Sequence, residues 1–129
     1  MRLTNIIHQV SDILETRGNL NTEVTGISYD SRQVQTGHLF IAVRGLITDG
    51  HDFIYTAIEA GAQVIVYDRT DFVIPDNIVS IQVQDSRLAL PVIASTYFGN
   101  PADGLKLVAI TGTNGKTTTN YFVQHLLNQ

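Results

Sequence analysis

The residues best suited to chemistry lie near the carboxyl end of the chain, in the run Thr-Gly-Thr-Asn-Gly-Lys-Thr-Thr at 111–118. Glycines in such a loop let backbone N–H groups approach a polyphosphate, because no Cβ stands in the way. A helix that begins inside the run adds unpaired N–H donors and the positive end of its dipole. Lys116 would then contact the β- and γ-phosphates, and the Thr117 hydroxyl would ligate Mg²⁺. The pattern therefore predicts a phosphate-binding loop.

The spacing of this loop differs from the common form, Gly-x-x-x-x-Gly-Lys-Ser/Thr. That form requires a glycine at position 110, where the chain has Ile110, and the first glycine of the loop is Gly112. The flanking residues still favour a phosphate loop, since the apolar run 105–110 predicts a buried strand and 117–129 has helical spacing. A plain turn is the alternative, but it does not account for Gly-Lys-Thr-Thr in that order. One side of the predicted helix carries Tyr121, Phe122, Leu126 and Leu127.

A second group of candidate residues lies in the first half of the chain. Asp30-Ser31-Arg32 ends the alternating segment 24–30, which predicts a half-buried strand. Gly45 and Asp49-Gly50 flank the loop Leu46-Ile47-Thr48, and glycines there suit a close approach of backbone to ligand. Asp30 and Arg32 can equally form a structural pair, and Asp49-Gly50 can be only a turn.

Both groups need a scaffold, and the pattern of the chain predicts an α/β one. Apolar residues at three- and four-residue steps predict an opening helix over 3–14. Strands are predicted at 24–30, 38–43, 64–67 and 78–83. Further helices are predicted after a cap at Asp52, with Gly61 ending that helix, and after Asp85 or Ser86. The fold class is α/β, a small mixed or parallel sheet flanked by helices.

Helix breakers set the predicted boundaries. Pro91 either kinks the last of these helices or marks its true first turn. Residues 99–104 are dense in glycine, asparagine and proline, so we place a first domain at 1–99, a linker at 100–104 and the start of a second domain at 105–129. A single strand and helix cannot bury both of their faces, which predicts that 105–129 is the truncated opening of a larger domain.

Composition excludes several classes of protein. The chain has 129 residues, a net charge of −4 and no basic run, which argues against a nucleic-acid partner. It has no cysteine, so a disulfide framework and a thiolate zinc site are both excluded. No signal-peptide pattern and no apolar run of membrane length is present, so the expectation is a cytoplasmic protein without a membrane partner.

The motifs upstream of the phosphate loop narrow the class further. Asp30-Ser31-Arg32, the run 37–42, Gly45, the run 49–54 and the pairs Ala57-Ile58 and Gly61-Ala62 follow one another in order. With the phosphate loop behind them, they resemble the amino-terminal part of the Mur ligases of peptidoglycan synthesis, over nearly the whole chain. The nearer resemblance is to the MurE branch, and Thr113-Asn114 in the loop favours it. The MurF branch, which adds D-alanyl-D-alanine, is the alternative.

The resemblance implies an ATP-dependent ligase that adds meso-diaminopimelate or L-lysine to UDP-N-acetylmuramoyl-L-alanyl-D-glutamate. In this family the first domain holds the uridine diphosphate end of the substrate, the central domain binds ATP with Mg²⁺, and a third domain brings the amino acid. ATP phosphorylates the terminal carboxylate, and the amine then attacks the acyl phosphate. The residues of the completed site beyond 129 would be missing, so the chain by itself is expected to be inactive as a ligase.

Site residues carry over from the family one by one. Ser31 would contact the uridine nucleotide, with Tyr29 beside it, and Leu46, Ile47 and Thr48 would line the same pocket. The ATP loop would comprise Gly112, Thr113, Asn114, Gly115, Lys116, Thr117 and Thr118, with Lys116 on phosphate and Thr117 on Mg²⁺. Two alternatives stay open: a free-standing module that binds a uridine nucleotide, and an unrelated phosphate-loop kinase or GTPase.

Overall fold

A computed structural model describes residues 1–104 and 109–127 of the chain. The described residues form a five-stranded sheet in the order β1-β5-β4-β3-β2. The strands are β1 Ile13–Arg17, β2 Gly26–Ser28, β3 His38–Ile41, β4 Val64–Tyr67 and β5 Val79–Val83. The helices are α1 Leu3–Ile7, α2 Ile54–Glu59, α3 Ser86–Tyr97 and α4 Lys116–Leu127. Strands β2 to β5 pair in parallel and β1 pairs antiparallel with β5. The predicted α/β class is therefore confirmed, and of the two predicted alternatives, mixed or parallel, the sheet is mixed.

The period of two along the strands places the core on both faces of the sheet. All four residues of β4 are buried, as expected for a central parallel strand covered on each side. Val64 and Val66 pack in a cluster with α1 and α3, whereas Ile65 and Tyr67 pack in a second cluster with α2. The two clusters together bury the apolar stripe of every helix in the first hundred residues, and they fix the sheet between two helical layers.

The prediction of one helix over 3–14 is wrong in its second half. Helix α1 ends at Ile7, and Ile13–Arg17 forms the edge strand β1 beside β5. The pairing joins Ile13 to Val83, a partner seventy positions later that no local pattern reveals. Ile13 is only half-buried in β1, and the backbone pairing along the edge of β5 decides for the strand.

The predicted caps and the proline helix need two corrections. Asp49, not Asp52, is the capping residue: its carboxylate accepts the main-chain N–H of His51 at the start of a short 3-10 helix over Gly50–Phe53. Asp85 caps α3 by accepting the main-chain N–H groups of Arg87 and Leu88. Helix α3 then runs through Pro91 without interruption, so the reading of a separate turn before Pro91 is wrong.

The carboxyl-terminal region is described in part. Gly99 and Asn100, at the junction of the predicted first domain and the linker over 100–104, are in the left-handed conformation, and a 3-10 turn over Pro101–Gly104 follows. Most of the predicted strand 105–110 lies outside the described residues, and Ala109 and Ile110 have no regular structure. The helix predicted over 117–129 is present as α4, which begins at Lys116. Across the parts of the chain that the structure describes, no helix combines the length and apolar character needed to cross a membrane.

Two glycines with positive φ, Gly61 and Gly99, differ in how closely other atoms surround them. Gly61 has φ +109° and a Cβ there would lie 2.8 Å from the Thr36 Cα, whereas a Cβ on Gly99, at φ +76°, would meet no described atom within 4 Å. We expect Gly99→Ala to lower the free energy of unfolding by about 1–2 kcal/mol through backbone strain alone. Gly61→Ala adds a backbone clash and should cost roughly 1–3 kcal/mol more. Urea denaturation measures both, and equal losses would contradict the packing at Gly61.

Candidate nucleotide-binding site

A short hairpin at the carboxyl edge of the sheet organises the candidate site. Parallel strands end at the same edge, so the segments that follow β2, β3, β4 and β5 meet there. Residues 43–50, which we call the hairpin, leave β3 and fold back on themselves: Gly45 N–H donates to the Thr48 carbonyl and Gly50 N–H to the Val43 carbonyl, each at 2.9 Å. Leu46 and Ile47 form the tip, and each side chain is 99% exposed.

Glycine is required at two positions of the hairpin, one next to its tip and one at its base. A Cβ on Gly50 would lie 2.6 Å from the Val43 carbonyl oxygen, and one on Gly45 would lie 2.7 Å from the Thr48 carbonyl oxygen. These are backbone contacts that cannot relax by a change of rotamer. The two glycines therefore allow the strands of the hairpin to approach closely enough to pair.

The hairpin separates two clefts along the edge of the sheet. The first, the β2–β3 cleft, has a volume of about 470 Å³. Its lining residues are Tyr29, Asp30, Ser31, Arg32, Phe40, Val43, Thr48, Gly50 and Phe53. The structure thus brings together Tyr29, Ser31 and Thr48, three of the residues predicted to bind substrate. Leu46 and Ile47 are not among the lining residues and lie instead at the hairpin tip beside the cleft.

Sequence reasoning missed the apolar floor of this cleft. Phe40 and Val43 belong to the predicted strand 38–43, but the period of two does not say which face of the sheet a ligand occupies. Phe53, in the run 49–54, is 38% exposed at the cleft. Its position directly after the Asp-Gly-His-Asp run was the available signal.

Asp30 and Arg32 form a structural pair beside the cleft. Arg32 Nε and Nη2 donate to the two carboxylate oxygens of Asp30 at 2.9 and 2.7 Å, and the Arg32 main-chain N–H donates at 3.0 Å. The hydrogen bond from the Arg32 side chain holds the pKa of the Asp30 carboxyl below its ordinary value. The pair shapes the turn that presents Ser31, whose hydroxyl makes no hydrogen bond with any residue that the structure describes.

The second cleft lies on the other side of the hairpin, at the ends of β4 and β5. It has a volume of about 310 Å³ and is lined by Arg44, Asp68, Arg69, Gln84, Asp85 and Arg87. Its charged side chains are largely engaged with neighbouring groups of the protein. Asp68 accepts the Ser86 main-chain N–H and hydroxyl, and Arg87 Nε donates to the Arg44 carbonyl at 2.8 Å.

Asp49 connects the hairpin to this second cleft. Partial burial by itself would raise the pKa of the Asp49 carboxyl, but hydrogen bonds from the His51 main chain and ring and from Arg69 lower it to about 2. The His51 Nδ1 lies 2.6 Å from Asp49 Oδ1, and Arg69 Nη1 lies 3.0 Å from Asp49 Oδ2. His51 is completely buried.

The predicted phosphate loop is an exposed turn, and α4 begins directly after it. Gly115 adopts a left-handed conformation with φ +76°, and a Cβ there would meet none of the described atoms within 4 Å. The Lys116 ammonium donates to the Gly112 carbonyl, which places the lysine over the loop. Thr117 and Thr118 stand in the first turn of α4, where main-chain N–H groups have no acceptor in the helix. No group of three or more His, Cys, Asp or Glu able to hold a metal ion occurs within residues 1–104 and 109–127.

Comparison with known proteins identifies the family to which the chain belongs. A sequence profile described as "Mur ligase family, catalytic domain" matches residues 23–98, which is more than half of the chain. The chain belongs to the Mur ligase family. Its relatives include the UDP-N-acetylmuramoyl-L-alanyl-D-glutamate–2,6-diaminopimelate ligases of Clostridium tetani, 46% identical over 87% of the chain, and Geobacter sulfurreducens, 45% identical over all of it. The chain spans about a quarter of the length of these relatives, 24% and 25% respectively.

Solved structures agree with the family. The MurF ligase of Thermotoga maritima in complex with ADP is 34% identical, with a TM-score of 0.57, over 83% of this chain and 23% of that one. A MurF structure from Acinetobacter baumannii is 32% identical, with a TM-score of 0.58, over 81% of this chain and 22% of that one. The likeness to these Mur ligases therefore extends to the amino-acid sequence as well as to the α/β backbone.

The lowered pKa of Asp49 predicts a pH-dependent contribution to stability. Because the folded value of about 2 lies below the ordinary 3.8, the ionised carboxylate stabilises the fold above pH 3.8, and this contribution disappears as the pH falls toward 2. The gap corresponds to about 2 kcal/mol. We expect Asp49→Asn to lose that amount at pH 6 and to converge on the parent chain between pH 4 and pH 2, as followed by urea denaturation. Asp52→Asn, an exposed carboxylate nearby, should change stability by less than about 0.5 kcal/mol, and a deficit of Asp49→Asn that does not vary with pH would contradict the assignment.

Proposed function

We propose that this chain is the amino-terminal, UDP-sugar-binding part of an ATP-dependent ligase that joins an amino acid to UDP-N-acetylmuramoyl-L-alanyl-D-glutamate. The observation that carries the proposal is the 45% identity over the whole chain to a relative named for that reaction. The relatives' names specify 2,6-diaminopimelate as the amino acid, and we propose it over L-lysine on that ground. We propose that the reaction takes place in the cytoplasm, where ATP is supplied.

The geometry of the β2–β3 cleft supports binding of a uridine nucleotide. Tyr29, 69% exposed, and Phe53 provide aromatic faces at the rim against which a base can stack. Ser31 offers a hydroxyl with no partner among the described residues, and the paired Asp30 and Arg32 hold the turn that carries it. The glycine-bordered hairpin brings backbone donors and acceptors beside Thr48. We propose that Leu46 and Ile47 close over the nucleotide from the tip.

The phosphate loop suits the proposed co-substrate, ATP with Mg²⁺. Gly112 to Thr118 would surround the phosphates with main-chain N–H groups, because the open space around Gly115 admits an anion. Lys116 would exchange the Gly112 carbonyl for phosphate oxygens, and Thr117 would ligate Mg²⁺ through its hydroxyl. Bound ATP supplies the phosphoryl group that turns a carboxylate into a competent acyl donor. The chain's own groups orient the phosphates and offset their negative charge.

The division of labour follows from these two sites. We propose that residues 1–99 form the substrate-binding domain, 100–104 a linker, and 105–129 the start of the ATP-binding domain. The left-handed conformation of Gly99 and Asn100 ends α3 and supports a domain boundary there.

A MurF-type activity, addition of D-alanyl-D-alanine, is the second candidate. It is favoured by the solved structures named MurF that share 32–34% identity with the chain. The diaminopimelate ligases are more similar, at 45–46%, and we rank the MurF-type activity below theirs. Both activities use the same uridine diphosphate end, so the cleft itself is expected to serve either.

Calorimetric titration of the chain with the UDP-linked muramoyl dipeptide tests the substrate site. We expect binding that Ser31→Ala weakens by about tenfold, since one hydrogen bond to a charged ligand is lost. Ser11→Ala, an exposed serine outside the cleft, should leave the affinity unchanged. Equal affinity in the parent chain and Ser31→Ala would remove Ser31 from the site, and no binding by the parent chain would count against the proposed function.

Titration with Mg-ATP, followed by NMR, tests the phosphate loop. We expect shifts in the amide resonances of residues 112–118, and a weakening of about tenfold or more in Lys116→Ala, because a charge-assisted contact to phosphate is lost. Gln124→Ala, two turns further along α4, is the matched control. Unshifted loop amides, or equal affinity in Lys116→Ala, would show that the loop does not bind ATP as proposed.

A further inference from the structure

The side of the hairpin that faces away from the β2–β3 cleft is fastened by a buried imidazole. His51 is 0% exposed and lies between two carboxylates, with Nδ1 2.6 Å from Asp49 Oδ1 and Nε2 3.0 Å from Asp68 Oδ1. Asp49 belongs to the returning strand of the hairpin, and Asp68 directly follows β4. His51 therefore bridges the hairpin to the central strand of the sheet.

The bridge does not depend on one protonation state of the ring. The Asp68 main-chain N–H lies 3.3 Å from Nε2 and donates to it when that nitrogen carries no proton. When Nε2 is protonated, it donates to the Asp68 carboxylate instead. In both cases Nδ1 carries a proton and donates it to the Asp49 carboxylate. The ring is also stacked on Phe72, with 5.8 Å between centroids, so its orientation is fixed by packing.

Further charged contacts hold the same side of the hairpin. Arg69 Nη1 donates to Asp49 Oδ2 at 3.0 Å, and Arg87 Nε donates to the Arg44 carbonyl on the outgoing strand at 2.8 Å. Asp68 is itself held by the Ser86 main-chain N–H at 3.0 Å and hydroxyl at 2.9 Å. Both strands of the hairpin are thus tied to the ends of β4 and β5, whereas its tip is free of such contacts among the described residues.

This arrangement separates anchoring from ligand binding. The anchoring contacts all lie on the β4 side of the hairpin, and Thr48 and Gly50 line the cleft on its β2 side. A hairpin whose tip carries two side chains that are 99% exposed has little packing of its own to hold it in place. Its position over the cleft must therefore come from its base.

We propose that His51 is a positioning residue for the uridine nucleotide: its bridge between Asp49 and Asp68 holds the hairpin in the geometry that forms one wall of the β2–β3 cleft. The inference rests on the proposed function for the identity of the ligand, but not for the behaviour of the hairpin. Loss of the bridge leaves the cleft intact on its β2 side and lets the opposite wall move. The fraction of molecules competent to bind then falls, and the apparent affinity falls with it.

Site-directed spin labelling tests the hairpin without any ligand. The chain has no cysteine, so Ile47→Cys creates a unique attachment point at the tip. We expect the nitroxide to be markedly more mobile when Ile47→Cys is combined with His51→Gln, at a temperature where both proteins are folded. A label at Leu14→Cys, on β1 and away from the hairpin, should report the same mobility with and without His51→Gln. Unchanged mobility at position 47 would overturn the proposal.

Binding measured in the unlabelled, cysteine-free proteins supplies the second readout. We expect His51→Gln to weaken binding of the UDP-linked muramoyl dipeptide by about tenfold, as when the competent population falls to about a tenth. Ile93→Ala, a core substitution in α3 that is also destabilising, should lower the melting temperature but change neither the affinity nor the mobility at position 47. A loss of affinity in Ile93→Ala equal to that in His51→Gln would assign the effect to general instability and overturn the proposal.

Two further outcomes remain interpretable. If His51→Gln does not fold, Asp49→Ala removes the carboxylate that Nδ1 contacts, opens the same bridge from the hairpin side and should raise the mobility at position 47 in the same way. An immobile label at position 47 in folded Asp49→Ala would overturn the proposal. If the parent chain does not bind the UDP ligand but the label is mobilised by His51→Gln, the proposed function fails while the positioning of the hairpin by His51 stands.

Discussion

Parallel pairing of β2, β3, β4 and β5 is the constraint on which the rest of the structure depends. It requires both faces of the sheet to be covered, because the central strand β4 is apolar throughout. Helices α1 and α3 cover one face and α2 the other. It also brings the carboxyl ends of four strands to one edge, where backbone groups are no longer used by the sheet. The two clefts exist because that edge is shared and because one of its segments, the hairpin, stands between them.

Charge is distributed unequally across this edge. On the β2 side, Asp30 and Arg32 neutralise each other locally and leave a cleft with aromatic and hydroxyl groups. On the β4 side, carboxylates and guanidinium groups are linked through Asp49, His51 and Asp68. Burying an imidazole there without partners would be costly, and both ring nitrogens have one. The ionic side therefore supports the fold, whereas on the β2 side the Ser31 hydroxyl has no partner among the described residues.

The residues of the phosphate loop are consecutive in the chain, whereas those of the cleft come from separate segments. The loop's glycines, Lys116 and the start of α4 are neighbours in the chain, so its conformation is local, and the contact of Lys116 with the Gly112 carbonyl lies within the loop itself. The cleft, by comparison, combines Ser31, Thr48 and Phe53 from three separate segments.

The sequence by itself determined the elements whose signals are local. Strand periodicity identified β2 to β5, the capping residue Asp85 and the turn at Gly61 marked helix boundaries, and Gly-Lys-Thr predicted the phosphate loop that α4 follows. Only the tertiary structure decided that Ile13–Arg17 is a strand, because its partner Val83 lies seventy residues away. It alone placed Phe40, Val43 and Phe53 beside Ser31, and it alone put His51 between Asp49 and Asp68. Local patterns encode periodicity and turns, whereas the pairing of an edge strand and the burial of a polar ring depend on groups that come together only when the sheet has formed.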